Sequence, residues 1–361
     1  MDNENEEIKL EDLGYKAFFE LNRTALGVSD QAVGRIIAEY KEVYRVRSVR
    51  GEYLARITGK QMFNAAKRED YPAVGDWVAI TELDQETATI RQIFPRMTIL
   101  RRKRAGKQDV QVIAANVDVA FIIGSVDRDY NLNRFERYCV LAKEGGVKPV
   151  IVLNKIDLIP EAERISKMNE IKDRFNDPDI LLTSAVMEQG LDILMNYIVK
   201  GNTYCFLGSS GAGKSSLINK LLGSDVIKTT EISDHAVRGK HTTTARELYL
   251  IRNGGIVIDN PGMREVGIAD AGEGIKEVFA EIAVLSQQCK FVDCTHTHEP
   301  GCAVLASIRE EKLDEEKYAN YRKLEKENAY YRMTDLEKRR KDRAFGKFVK
   351  HTLKQLKELE P

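Results

Sequence analysis

The sequence predicts a multidomain chain: an N-terminal β-barrel, a central α/β domain built on a parallel sheet, and a C-terminal helical module carrying a metal site. Three observations support this. Short alternating strands fill residues 34–105, apolar runs alternate with helical stretches from about residue 110 to 268, and cysteines gather at 289–302 ahead of a long charged helical region. At 361 residues the chain exceeds the size of one hydrophobic core. The expected limits are 1–33 for an acidic extension, 34–105 for the barrel, 106–268 for the α/β domain and 269–361 for the C-terminal domain.

The acidic extension is read from residues 1–12, which carry six acids against one lysine. It lacks the basic start and apolar stretch of a secretion signal, and no apolar run approaches the ~20 residues of a membrane span. A cytoplasmic protein without membrane contact is expected. The net charge of zero hides opposed patches: residues 96–107 hold six basic residues and no acid, and residues 338–357 hold nine against one.

In the barrel region, "YRVRSV", "EYLARIT", "GDWVAIT" and "TATIRQI" alternate apolar and polar residues between Gly, Pro and Asp. Five strands of OB type fit the length, although the spacing alone does not separate OB from SH3-like barrels. In the α/β region the order is strand, helix, strand: "VDVAFIIGSV", "NLNRFERYCVLAKEGG" and "KPVIVLNKID". That order implies crossover helices and a parallel sheet. Asn131 or Asn133 can cap the helix, and Gly145 with Gly146 can end it.

"GSSGAGKSS" follows the apolar strand "TYCFLG" and opens a helix. Gly208, Ser209, Ser210, Gly211, Ala212, Gly213, Lys214, Ser215 and Ser216 thus form a phosphate-binding loop. Its glycines let backbone N–H groups face phosphates, Lys214 brings charge to the β and γ oxygens, and the Ser215 hydroxyl can ligate magnesium. "DNPG" ends another apolar strand, so that Asp259 reaches the magnesium shell and the Gly262 N–H meets the γ-phosphate. Between them "GKHTTT" offers Thr242, Thr243 and Thr244, of which Thr243 is taken as the magnesium ligand.

"NKID" selects the base. Asp157 can accept from guanine N1–H and N2–H₂, a donor pair that adenine lacks. Asn154 can hold the loop, Lys155 can cover the ring beside Ile156, and Ser184 and Ala185 of "TSA" can offer a backbone N–H to guanine O6. The five elements run in the order NKxD, SA, P-loop, threonines, DxxG, a rotation of the usual GTPase order. A circularly permuted GTPase domain is therefore expected, possible where the original ends lie close in space.

"CKFVDCTHTHEPGC" offers Cys289, Cys294, His296 and Cys302 as a closed structural zinc site, with His298 a substitute for His296. With these motifs in view, the chain resembles the circularly permuted, small-subunit-dependent GTPases of the RsgA type, most sharply in "NLNRFERY", "NKIDL", "GSSGAGKSSLIN", "RGKHTTT", "DNPGMRE" and "CKFVDCTHTHEPGCAV". The resemblance implies an OB barrel, a permuted GTPase domain and a zinc-bearing helical module. It also implies late maturation of the small ribosomal subunit through its rRNA, with slow intrinsic hydrolysis that the particle accelerates. The acidic start and the basic C-terminal helix exceed the family's common core.

Met263 stands where Ras-like GTPases carry a water-orienting Gln, so low basal turnover is expected, with His241 supplying the missing contact once the ribosome orders its loop. The last helix is expected to dock Phe345, Phe348, Val349 and Leu356 while its basic face meets phosphates. A monomer is expected. A GTP-gated RNA-binding module with incidental hydrolysis is the alternative reading, and an ATPase or kinase conflicts with "NKID" and "TSA".

Overall fold

The structure is a computed structural model describing residues 8–40, 43–103, 110–127, 129–175, 178–227, 246–260 and 267–358, with the side chains of 335, 344, 345, 348, 350, 351 and 353–358 outside that description. Helix α1 (Ala17–Ala25) precedes the barrel strands β1 (Ala32–Glu39), β2 (Tyr44–Ser48) and β3 (Glu52–Ile57). Helix α2 (Gly59–Asn64) then leads to β4 (Trp77–Glu82) and β5 (Thr87–Ile93). β1 pairs antiparallel with both β2 and β4, β4 pairs with β5, and β3 runs parallel to β5, which closes the ring. This connectivity, with a helix between the third and fourth strands, is that of an OB barrel and removes the SH3-like alternative.

Alternation makes the barrel's core. Tyr44, Val46, Tyr53, Ala55, Ile80 and Ile90 point inward and are buried, while the intervening residues of β2 and β3 stay wetter. The segment ahead of the barrel is more than an acidic appendage. Leu13 and Phe19 pack beside Trp77, with the Phe19 and Trp77 rings 5.8 Å apart.

Strands β6 (Ile99–Lys103) and β7 (Val110–Ala115) form an antiparallel pair leading into the central domain. There β8 (Val119–Ser125), α3 (Leu132–Glu144), β9 (Lys148–Asn154), α4 (Glu161–Arg174), β10 (Ile180–Thr183), α5 (Leu191–Tyr197), β11 (Thr203–Gly208), α6 (Lys214–Leu222), β12 (Glu247–Leu250) and β13 (Ile256–Asp259) follow in turn. The sheet order is β10-β9-β8-β11-β13-β12, parallel except for β12. β11 enters late in the chain yet lies between β8 and β13, so the rotated motif order becomes an ordinary doubly wound sheet in space. Neighbouring residues of each strand feed opposite cores: Ile122 and Cys205 pack with Phe135 and Cys139 of α3, while Phe121 and Phe206 pack with Leu217 and Ile218 of α6. A single register pair, Ala38 with Glu247, joins this sheet to the barrel.

The C-terminal module consists of α7 (Gly272–Val278), α8 (Ala280–Ser286), α9 (Ala303–Arg309), α10 (Glu315–Arg332) and α11 (Asp335–Glu358). Ile275, Phe279, Ile282, Val304 and Leu324 form its core, and Val140 of α3 joins them. Among the described residues no helix is long and apolar enough to cross a membrane.

Candidate nucleotide site and metal group

The candidate site lies at the C-terminal ends of the parallel strands, where strand order reverses around β8 and β11. The phosphate loop leaves β11 through Gly208, whose φ of 150° is open only to glycine, and enters α6 through Gly213 at φ 95°. A Cβ on Gly213 would stand 2.2 Å from Asn154 Nδ2. The closeness reflects a bond: Asn154 Nδ2 donates to Ala212 O at 2.9 Å, and Asn154 Oδ1 accepts from Thr183 Oγ1 at 3.1 Å. The base-reading loop and the phosphate loop, 58 residues apart in sequence, are thus tied by one buried side chain.

Lys155 adopts φ 64° and turns the chain so that Ile156 enters the core and Asp157 meets the loop after β10. The Ser184 hydroxyl donates to Asp157 Oδ1, and Met187 N–H donates to Ser184 Oγ at 3.0 Å. Ser184 N–H is occupied by Gln189 O, which leaves the next amide, that of Ala185, as the "TSA" donor closest to the expected role.

Lys214 Nζ donates to Gly208 O at 2.8 Å and to Ser209 O at 2.6 Å, and burial pushes its pKa down to about 8 against the pull of Asp259 and Asp129. Asp259 shows the opposite shift from the same cause: burial raises it to about 6. Its Oδ1 is buried with no hydrogen-bond partner among the described residues. An orphaned carboxylate oxygen at the end of β13, near a buried ammonium, fits a divalent cation shell. The neighbouring Asn260 turns inward instead, donating to Cys205 Sγ at 2.8 Å.

Two residues that motif reading passes over belong to this site. Asp127 Oδ2 pairs with Lys155 Nζ at 3.0 Å, and Asp129 accepts from the Ser209 hydroxyl while pairing with Arg134. Their signal in the sequence is two acids flanking one residue at the end of a buried parallel strand. His241, Thr242, Thr243, Thr244, Gly262 and Met263 lie outside the described residues, as do the side chains of Phe345, Phe348 and Leu356.

Cys289, Cys294, His296 and Cys302 bring their ligand atoms within 4.8 Å of one another. Metal–sulfur bonds of about 2.3 Å in a tetrahedron place two sulfurs about 3.8 Å apart. Cys289 and Cys302 Sγ stand 3.8 Å apart, with His296 Nδ1 3.5 and 3.4 Å from them. The donor set therefore fits a tetrahedral ion. His298 lies outside the group and faces Thr297 Oγ1 at 3.0 Å, so it does not substitute for His296.

The RsgA GTPase family model matches residues 93–269, and a 50S ribosome-binding GTPase model matches residues 203–341. A small ribosomal subunit biogenesis GTPase RsgA 2 of Lactiplantibacillus plantarum is 41% identical over 330 residues, covering 91% of this chain and 92% of that one. RsgA 1 of Bacteroides thetaiotaomicron is 38% identical over 356 residues, 98% of this chain and 99% of its own. Among solved structures, YjeQ from Thermotoga maritima aligns at TM-score 0.61 and 27% identity over 81% of this chain and 97% of that one. YloQ, titled a circularly permuted GTPase, shares the fold at TM-score 0.57 and 23% identity, over 84% and 97% of the two chains. With the permuted sheet and the joined nucleotide loops in place, the chain belongs to the RsgA GTPase family.

Proposed function

We propose that this chain is a GTPase that binds the small ribosomal subunit, acts in its late maturation and hydrolyses GTP to GDP and phosphate under stimulation by the particle. The observation that carries the reading is the Asn154 to Ala212 bond, because it sets the base-reading loop and the phosphate loop around one space. The names of the relatives, small ribosomal subunit biogenesis GTPases, support the choice of particle.

In this reading Asp157 accepts the two guanine donors, Asn154 and Lys155 frame the ring, and Ala185 N–H meets O6. Residues Gly208–Ser216 wrap the phosphates, with Lys214 holding the β and γ oxygens. Ser215, Thr243 and Asp259 would hold magnesium, which when bound neutralises charge developing on the transferred phosphoryl group. His241 orients the attacking water, and Gly262 meets the γ-phosphate. Cys289, Cys294, His296 and Cys302 hold one structural zinc. The protein acts as a cytoplasmic monomer whose barrel and basic C-terminal helix contact rRNA.

The test is phosphate release from GTP with and without purified small subunits, expected to rise by a factor of about 10 or more with subunits. Equal release in both would refute the particle's role. Asp157→Asn checks the base pocket: an amide donates where guanine donates, so GTP affinity should fall at least ~100-fold while xanthosine triphosphate, which offers a carbonyl there, binds better. Unchanged GTP affinity in that variant would remove Asp157 from the site.

A further inference from the structure

We propose that Asp127 and Asp129 act as two separate positioning residues for GTP turnover, one setting the lysine over the base and the other setting the lysine on the phosphates. The inference rests on the nucleotide site proposed above. It starts from the loop between β8 and α3, which no nucleotide motif includes. This loop projects from the C-terminal end of β8, beside both β9 and β11 in the sheet. One short segment can therefore reach the base-reading loop and the phosphate loop together.

Each aspartate has its own grip. Asp127 is fixed by the Ser125 hydroxyl at 2.5 Å and pairs with Lys155 Nζ at 3.0 Å. Lys155 occupies a left-handed backbone turn, its side chain is 21% exposed, and the ion pair with Asp127 fixes the end of that side chain. Asp129 pairs with Arg134 of α3 and accepts from Ser209 Oγ. Ser209 in turn presents its carbonyl to Lys214 Nζ at 2.6 Å. A continuous chain thus runs from Arg134 through Asp129 and Ser209 to the lysine of the phosphate loop.

The two grips have different kinetic consequences. A side chain lying on the base contacts the ground state and the transition state alike, so its loss raises KM and leaves kcat unchanged. A lysine on the β and γ oxygens meets charge that develops during transfer, so misplacing it lowers kcat.

The experiment measures GTP turnover of the full chain in Asp127→Asn, Asp129→Asn and Ser209→Ala, with thermal unfolding of each. One charge-assisted hydrogen bond corresponds to roughly tenfold. Asp127→Asn should raise KM about tenfold with kcat within about twofold, and Asp129→Asn should do the reverse. Ser209→Ala should reproduce the kcat loss of Asp129→Asn, and it carries the test if that variant fails to fold. The same KM and kcat pattern in both aspartate variants, or wild-type kcat in Ser209→Ala, overturns the proposal. Lys214→Ala is the control: wild-type turnover there would overturn the nucleotide site itself, an outcome distinct from failure of the two aspartates.

Discussion

Lys214 holds its charge where burial makes it costly. It is 6% exposed, and its pKa is pushed from 10.5 to about 8 because two backbone carbonyls replace water only in part. A lysine whose folded pKa lies below its unfolded value destabilises the nucleotide-free protein fully below pH 8, and the penalty fades as pH rises toward 10.5. Lys214→Met should therefore stabilise the nucleotide-free chain by up to about 3 kcal/mol at pH 7, with the gain shrinking by pH 10. Denaturant titrations at both pH values check this, and turnover should be lost in the same variant. The motif residues were legible because their chemistry demands residue types at fixed spacing. Asp127 and Asp129 were not, since a carboxylate that acts through another side chain carries no spacing rule. Arg35 was not legible either. An arginine within a strand carries no sequence mark of burial, yet Arg35 is 1% exposed.

At the scale of elements, the loop holding the cysteines serves the helices around it. Cys302 caps α9, its Sγ accepting from Leu305 N–H at 3.5 Å, and Tyr318 and Arg322 of α10 donate to the carbonyls of His296 and Thr295. Removing the metal should loosen that loop and lower the stability of the module by several kcal/mol, roughly. Cys294→Ser should make residues near 290 sensitive to protease while GTP binding persists, because the core beneath the phosphate loop shares no residue with this module's core. Limited proteolysis alongside nucleotide binding checks it; loss of both together would refute the separation. The sequence announced one charged helical region from about 303 to 359, and the chain divides it into α9, α10 and α11. The breaks fall at polar capping sites, Asp314 accepting from Glu316 N–H and Thr334 from Glu337 N–H. Charge content does not reveal such breaks, whereas capping chemistry does. Strand spacing likewise predicted five barrel strands but not their type, because the parallel pairing of β3 with β5 is a long-range contact.

For the whole molecule, Arg35 is the fastening between domains. It donates to Leu13 O at 2.5 Å, Gly75 O at 3.2 Å, Asn116 O at 3.1 Å and Thr203 Oγ1 at 2.9 Å. These acceptors come from the N-terminal segment, the barrel, the end of β7 and the start of β11. Arg35→Met should strip the guanidinium donors from Leu13 O, Asn116 O and Thr203 Oγ1, while Gly75 O keeps Asn116 Nδ2 at 3.1 Å, at about 3–5 kcal/mol in all, and should uncouple barrel unfolding from that of the GTPase domain. Trp77, the single tryptophan, lies with its ring 5.5 Å from the Arg35 guanidinium and reports the barrel with the N-terminal segment packed on it. Coincident fluorescence and nucleotide-release transitions in the variant would refute the uncoupling. The position of β11 between β8 and β13 also bears on how the chain is born. During synthesis β8 and β9 emerge first, and the strand that covers the other flank of β8 is complete only roughly 50 residues after β9 ends. At ~5–20 residues per second that flank stays bare for several seconds, an adhesive margin on a half-made domain. Nascent chains stalled before residue 203 are then the form of this protein most in need of a chaperone.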